Sequence, residues 1–197
     1  MKNTLLIVLS ILMFSMNIQV SHAGEQEDSL NAALTDYNTA VKANDISTVL
    51  DHTYPSVFLL ASKEEMLASL EQVTKSGAAP EITFLETKAD FPIKDFSEGS
   101  YTTIDAETRM TMNSPSPEDA QINEVILSTL RAQMGEQSEV SYDAENGVYT
   151  INKIGQIVAI NEGDSGWKFL DLDHAKTTLA QGGPQLMPED IAAALLQ

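Results

Sequence analysis

Cysteine is absent from the chain, which rules out disulfide bridges, thiol nucleophiles and Cys-type zinc sites. Basic residues are scarce, with 11 Lys and Arg against 29 Asp and Glu in 197 residues. Nucleic acids are gripped by clustered Lys and Arg that release counterions from phosphate, and anionic membrane surfaces select the same clusters. Neither partner is expected here. Histidine occurs three times, so little acid–base chemistry near neutral pH is on offer. The chain has no Asn-x-Ser/Thr acceptor, which favours a bacterial over a eukaryotic secretory origin. It also lacks a GxSxG elbow, a phosphate-binding glycine loop and an HExxH helix. A domain without disulfides must be held by its apolar core alone, and the chain is long enough to build one such core.

The first 23 residues form a separate segment. Lys2 supplies a positive start, residues 5–16 an apolar run broken only by Ser10 and Ser15, and Ser21-His22-Ala23 a small-residue cleavage site. This is the pattern of a secretory signal peptide, shorter than the roughly 20 apolar residues that span a bilayer. Cleavage before Gly24 is expected, giving a periplasmic or secreted protein with no membrane attachment. Loss of Lys2 deepens the formal charge from −18 to −19, and loss of His22 leaves only His52 and His174. The mature chain reads as one domain over 24–174 followed by a linker and short helix over 175–197.

Leu30, Ala33, Leu34, Tyr37, Ala40 and Val41 recur at helical spacing. Asn44-Asp45 breaks that helix, and Asp45 is a good N-cap for a second, short one carrying Ile46, Val49 and Leu50, which Pro55 closes. Ser62-Lys63-Glu64-Glu65 is a capping box that opens a third helix ending near Gly77. The period then falls from 3.6 to 2. Residues 81–91 and 101–112 read as long strands of a half-solvated antiparallel sheet, with Ile104, Ala106, Met110 and Met112 on one face and Asp105, Glu107 and Arg109 on the solvent face. Glu118-Asp119 starts another helix carrying Ile122, Val125, Ile126, Leu130 and Met134, with Gly135 as its stop. Four short strands follow over 139–143, 148–152, 156–161 and 167–171, the first pair joined by Asn146-Gly147, which predicts a type I′ hairpin turn. Gly182-Gly183-Pro184 is a linker, and Pro188-Glu189-Asp190 opens a short C-terminal helix.

Helices first and an antiparallel sheet after them make an α+β domain. The Tyr37-bearing first helix, the Lys42-Ala43-Asn44-Asp45 break, the Tyr54-Pro55-Ser56-Val57-Phe58 segment and the closing strand Gly166-Trp167-Lys168-Phe169-Leu170 resemble the nuclear-transport-factor-2-like superfamily, which includes ketosteroid isomerase and the polyketide cyclases. The resemblance covers about residues 29–172. It implies N-terminal helices packed on a curved, twisted antiparallel sheet, cone-like, with an extra helix between strands and a short C-terminal helix as additions. It also implies a pocket at the open end of the cone and, often, a homodimer through the sheet face.

By element, the resemblance places Tyr37, His52, Tyr54, Phe58 and Trp167 nearest that pocket; the alternative is that Tyr37 and Phe58 are core packing and His52 a helix-end histidine. No catalytic set can be matched, since no aspartate falls on an inward strand position beside His52. Two readings stay open. One is a non-catalytic binding or interaction module for a small apolar molecule or a protein partner. The other is a small proton-transfer enzyme, isomerase- or cyclase-like, with His52 as base and Tyr37 or Tyr54 as donor. Asp171-Leu172-Asp173-His174 is the one cluster of metal-like ligand types, with both aspartates on one side of a strand. Exposed acids at a strand end are ordinary in so acidic a chain, so neither a metal nor any other cofactor is expected. The run 143–147 departs from a calcium loop in the place of its glycine and in lacking a Glu at the twelfth position.

Overall fold

The 3.6-residue stripe of the first segment and the alternation of the later ones become two layers in the computed structural model, which describes residues 24–75, 81–90, 92–134 and 138–196. The leader and the expected ends at Gly77, Phe91 and Gly135 lie outside the described residues. Helix α1 (Gly24–Lys42) buries Leu30, Leu34, Tyr37 and Val41 along one stripe. Asn44 turns the chain with φ of 52°, a left-handed conformation that Asn tolerates. The Asp45 carboxylate then accepts from Thr48 N–H at 3.2 Å and Thr48 Oγ1 at 2.8 Å, opening α2 (Ile46–Asp51). A 3₁₀ turn follows over Pro55–Leu59. The capping box forms as read: Ser62 N–H donates to the Glu65 carboxylate at 2.9 Å, Glu65 N–H donates to Ser62 Oγ at 3.2 Å, and α3 (Lys63–Lys75) begins.

Six antiparallel strands make an open sheet: β1 (Glu81–Ala89), β2 (Lys94–Phe96), β3 (Gly99–Asn113), β4 (Ser138–Asp143), β5 (Val148–Asn161) and β6 (Trp167–Asp171). Their order is β1-β3-β5-β4, with β2 also paired to β3 and β6 also paired to β5. The architecture is therefore α+β with an open antiparallel sheet. Two expectations fail here. Residues 148–161 form one strand, not two, and residues 153–155 are no turn. Lys153 and Gly155 continue the alternation, Lys153 opposite Thr108 and Gly155 opposite Ala106 on β3. The β4–β5 hairpin exists, but only Gly147 of its Asn-Gly pair has positive φ, 66°, so the turn is not type I′. The Asp143 carboxylate shapes it instead, accepting from the backbone of Glu145 at 2.9 Å and Asn146 at 3.1 Å.

Helix α4 (Ala120–Met134) is started by Asp119, whose carboxylate accepts from Gln121 and Ile122 N–H, each at 3.1 Å. It buries Asn123, Leu127 and Leu130, a stripe offset from the one read in the sequence, and leaves Ile122 and Val125 in solvent. Tyr149 Oη donates to Asn123 Oδ1 at 2.6 Å and Arg131 Nε donates to the Val140 carbonyl at 3.2 Å, fastening α4 over β4 and β5. The stretch read as the start of a linker is instead α5 (Leu172–Ala180), and the tail ends in α6 (Glu189–Leu195) with Pro188 as N-cap. Leu186, Met187 and Ile191 are buried. Ser56 Oγ donates to the Leu186 carbonyl, and Ser97 N–H donates to the Asp190 carboxylate at 3.2 Å, so the tail is tied to the domain at two points. Among the described residues no helix is long and apolar enough to cross a membrane.

Gly99 begins β3 directly against β5. A Cβ there would stand 1.9 Å from the Asn161 carbonyl oxygen, a backbone atom that cannot rotate away. Gly99→Ala is expected to lower stability by about 1–3 kcal/mol through overpacking, read as a lower urea midpoint; an unchanged midpoint would show that the two strand ends part freely.

Candidate functional site

Strand alternation sorts the long strands into two faces. The face toward α1 and α4 carries cross-sheet rows, among them Thr102–Ala159–Phe169, Ile104–Ile157–Asp171 and Thr108–Lys153–Ser138. The other face carries Asp105, Glu107 and Arg109, of which Asp105 and Arg109 are exposed, as the sequence predicts. Gln156 donates to Asp105 Oδ1 at 2.7 Å and Arg109 Nε donates to Asn152 Oδ1 at 2.9 Å, a solvated lattice of polar pairs.

At one end of the inner face the chain leaving α2 runs beside β6. Phe169 N–H donates to the His52 carbonyl at 2.8 Å, and Tyr54 N–H donates to the Phe169 carbonyl at 2.9 Å. These two bonds set His52 and Phe169 against the α1 stripe. The Tyr37 ring lies 5.1 Å from Phe169 and 6.1 Å from His52, edge-on to the latter, and His52 and Phe169 are 6.1 Å apart. Of the five candidate residues, Tyr37, His52 and Trp167 thus stand on elements that meet at this corner. Tyr37 and Trp167 are buried and His52 half-buried. Tyr54 is buried with its hydroxyl donating to the Glu162 carboxylate, and Phe58 is half-buried in the 3₁₀ turn.

Burial sets the electrostatics of this corner. Desolvation holds the His52 imidazole below its ordinary pKa, helped by the nearby Lys168 charge and opposed by Asp36, Asp51 and a hydrogen bond to the Trp167 backbone. Desolvation pushes the Tyr37 phenol well up, with the Asp171 charge adding to it, and the Tyr54 phenol rises through burial and then Glu162. Two polar atoms of the corner, His52 Nδ1 and Trp167 Nε1, are buried without a hydrogen-bond partner among the described residues.

One row along, the structure gathers a charged group that the sequence placed differently. Asp171 ends β6 and caps α5, so Asp171 and Asp173 do not share one face of a strand. Lys153 Nζ donates to Asp171 Oδ2 at 3.0 Å and lies 3.8 Å from Asp173 Oδ2. The side chains of Lys153 and Asp171 are 10% and 5% exposed, which makes this a buried ion pair. The other Asp171 oxygen accepts from His174 N–H at 2.9 Å. Burial lowers the His174 imidazole, and burial followed by the Asp171 charge raises the Asp173 carboxyl. No group of three or more His, Asp or Glu side chains among the described residues is placed to hold a metal ion. Sequence reading missed Lys153 because a basic residue two positions before a glycine looks like a turn. The available signal was its parity with Ile151 and Ile157 in the alternating run.

Two outcomes follow from these charges. Lys153→Met strands the Asp171 carboxylate in the interior, and loss of one partner of a buried pair costs about 3–5 kcal/mol; urea unfolding with little change in midpoint would show that water reaches the pair. His52 and His174 both have folded pKa values below the unfolded 6.5, so the unfolded chain takes up more protons as pH falls. Stability is therefore present above pH 6.5 and lost as pH drops through 6.5 toward the folded values. Asp173, raised when folded, works in the opposite sense in a more acidic window. Urea midpoints measured from pH 7.5 to 5 are expected to fall, and His174→Gln to flatten the profile; a flat profile in the unaltered protein would contradict the burial of both imidazoles.

Comparison of the chain with protein-family models, with curated proteins and with solved structures finds no match in any of the three.

Proposed function

We propose that the protein is an exported, non-catalytic binding domain that receives a small, largely apolar molecule between α1 and the inner sheet face, at the corner formed by Tyr37, His52, Phe169 and Trp167. The observation that carries this reading is that His52 Nδ1, beside the Tyr37 and Phe169 rings, and Trp167 Nε1, two residues before Phe169 on β6, are buried without a hydrogen-bond partner among the described residues. Leaving such atoms unsatisfied costs about 1–3 kcal/mol each, and a few convergent polar groups in an apolar lining are what small-molecule sites use. The element order also fits the cone-like arrangement of the nuclear-transport-factor-2-like superfamily, in which this corner belongs to the pocket. Export follows from the leader sequence.

The rival reading, proton transfer by His52 with a tyrosine, has one observation in its favour. Burial keeps the imidazole neutral with a nitrogen to spare beside Tyr37. It is the weaker reading because both phenols are pushed away from useful acidity and Tyr54 is engaged by Glu162.

Native mass spectrometry of the protein purified from the exported fraction tests the proposal. A retained small molecule, lost in Phe169→Ala, is the expected result; a bare polypeptide mass from freshly prepared protein would overturn it. The same spectrum reads oligomeric state, and a monomer at micromolar concentration removes the sheet-face homodimer that the resemblance implies.

A further inference from the structure

Ser100, Asn161 and Trp167 stand opposite one another on β3, β5 and β6, and strand alternation turns all three side chains toward the helices. Ser100 is satisfied, accepting from Gln26 Nε2 on α1 and donating to the Asp95 carboxylate, each at 3.2 Å. Its neighbours are not. Asn161 Oδ1, an acceptor, and Trp167 Nε1–H, a donor, are both buried with no partner among the described residues. Cross-strand partners carry Cβ atoms about 4.5–5.5 Å apart, so the two side chains start from adjacent positions on one face, and Oδ1 and Nε1 do not bond to each other. Trp167 is 2% exposed, so bulk solvent does not serve it. What satisfies both is a third group that accepts from the indole and donates to the asparagine.

The chemistry of the two atoms narrows the class of that group. A carboxylate can accept from the indole N–H but has no hydrogen to give Asn161 Oδ1, so an anion satisfies one atom and leaves the other without a donor.

We infer that Asn161 and Trp167 form the polar end of the ligand site, and that the ligand is a neutral amide whose carbonyl accepts from Trp167 Nε1–H and whose N–H donates to Asn161 Oδ1. This rests on the binding reading above and names the chemistry of its ligand. The hydrocarbon part of such a molecule runs toward Phe169, the next inward residue of β6.

Trp167 is the chain's single tryptophan, so intrinsic fluorescence reports this site without a label. Titration with octanamide is expected to change Trp167 emission saturably, and octanoate, of equal chain length, to bind about tenfold or more weaker. Asn161→Leu is expected to weaken octanamide by a similar factor. The amide–carboxylate contrast on the unaltered protein keeps the test decisive if that variant does not fold. Octanoate binding as tightly as octanamide, an unchanged affinity in Asn161→Leu, or no saturable response to either probe, meaning that only water bridges the pair, would each overturn the inference. If native mass spectrometry finds a retained molecule without a carbonyl and an adjacent donor, the amide assignment falls while the binding reading stands. Silence in both experiments removes both.

Discussion

Lys153 places an ammonium on the buried face of β5, and the arrangement around it depends on the way that charge is matched. An unpaired ion in such surroundings carries a desolvation penalty of several kcal/mol. Asp171 meets it at 3.0 Å, with Asp173 behind. The match fixes three things. It lets β5 run through residues 153–155 without a break, it holds the end of β6 in line with the middle of β5, and it orients the carboxylate whose second oxygen caps α5 through His174 N–H. One carboxylate thus ends a strand, starts a helix and neutralises a buried cation.

The same group shapes the candidate site beside it. The Asp171 charge reaches Tyr37 and helps keep its phenol protonated, while Phe169, two residues earlier on the same face, packs on the Tyr37 ring. The aromatic corner and the ion pair are therefore neighbouring rows of one surface. Asp171 has a partner for each oxygen, whereas His52 Nδ1, Asn161 Oδ1 and Trp167 Nε1, and His174 Nε2 beside the ion pair, are buried without a hydrogen-bond partner among the described residues.

Local chemistry was legible in the chain wherever a few adjacent residues decide the outcome. The Asp45 cap, the Ser62–Glu65 capping box, the Asp119 start and the alternation of residues 101–112 all formed as their side chains dictate. The candidate residues Tyr37, His52 and Trp167 were legible as aromatic or ionisable side chains, and they lie on α1, at the end of α2 and on β6. Phe169 and Asn161 were not, because their significance comes from cross-strand partners that no local window contains. The buried face of α4 was misjudged for a related reason. Its apolar residues outnumber the positions the sheet can cover, and the Asn123–Tyr149 hydrogen bond selects which side turns inward.

The sequence by itself determined the α+β class, the caps and breaks of the helices, the exposed Asp105 and Arg109 face and the exclusion of cysteine chemistry, since each depends on composition or on contacts within a few residues. Only the tertiary structure decided that β5 is one strand, that Asp171 caps a helix while pairing with Lys153, and that Asn161 and Trp167 share a row. Those outcomes join residues 18 and 6 positions apart, and whether a lysine within an alternating run turns or continues rests on a carboxylate that the fold alone brings to it.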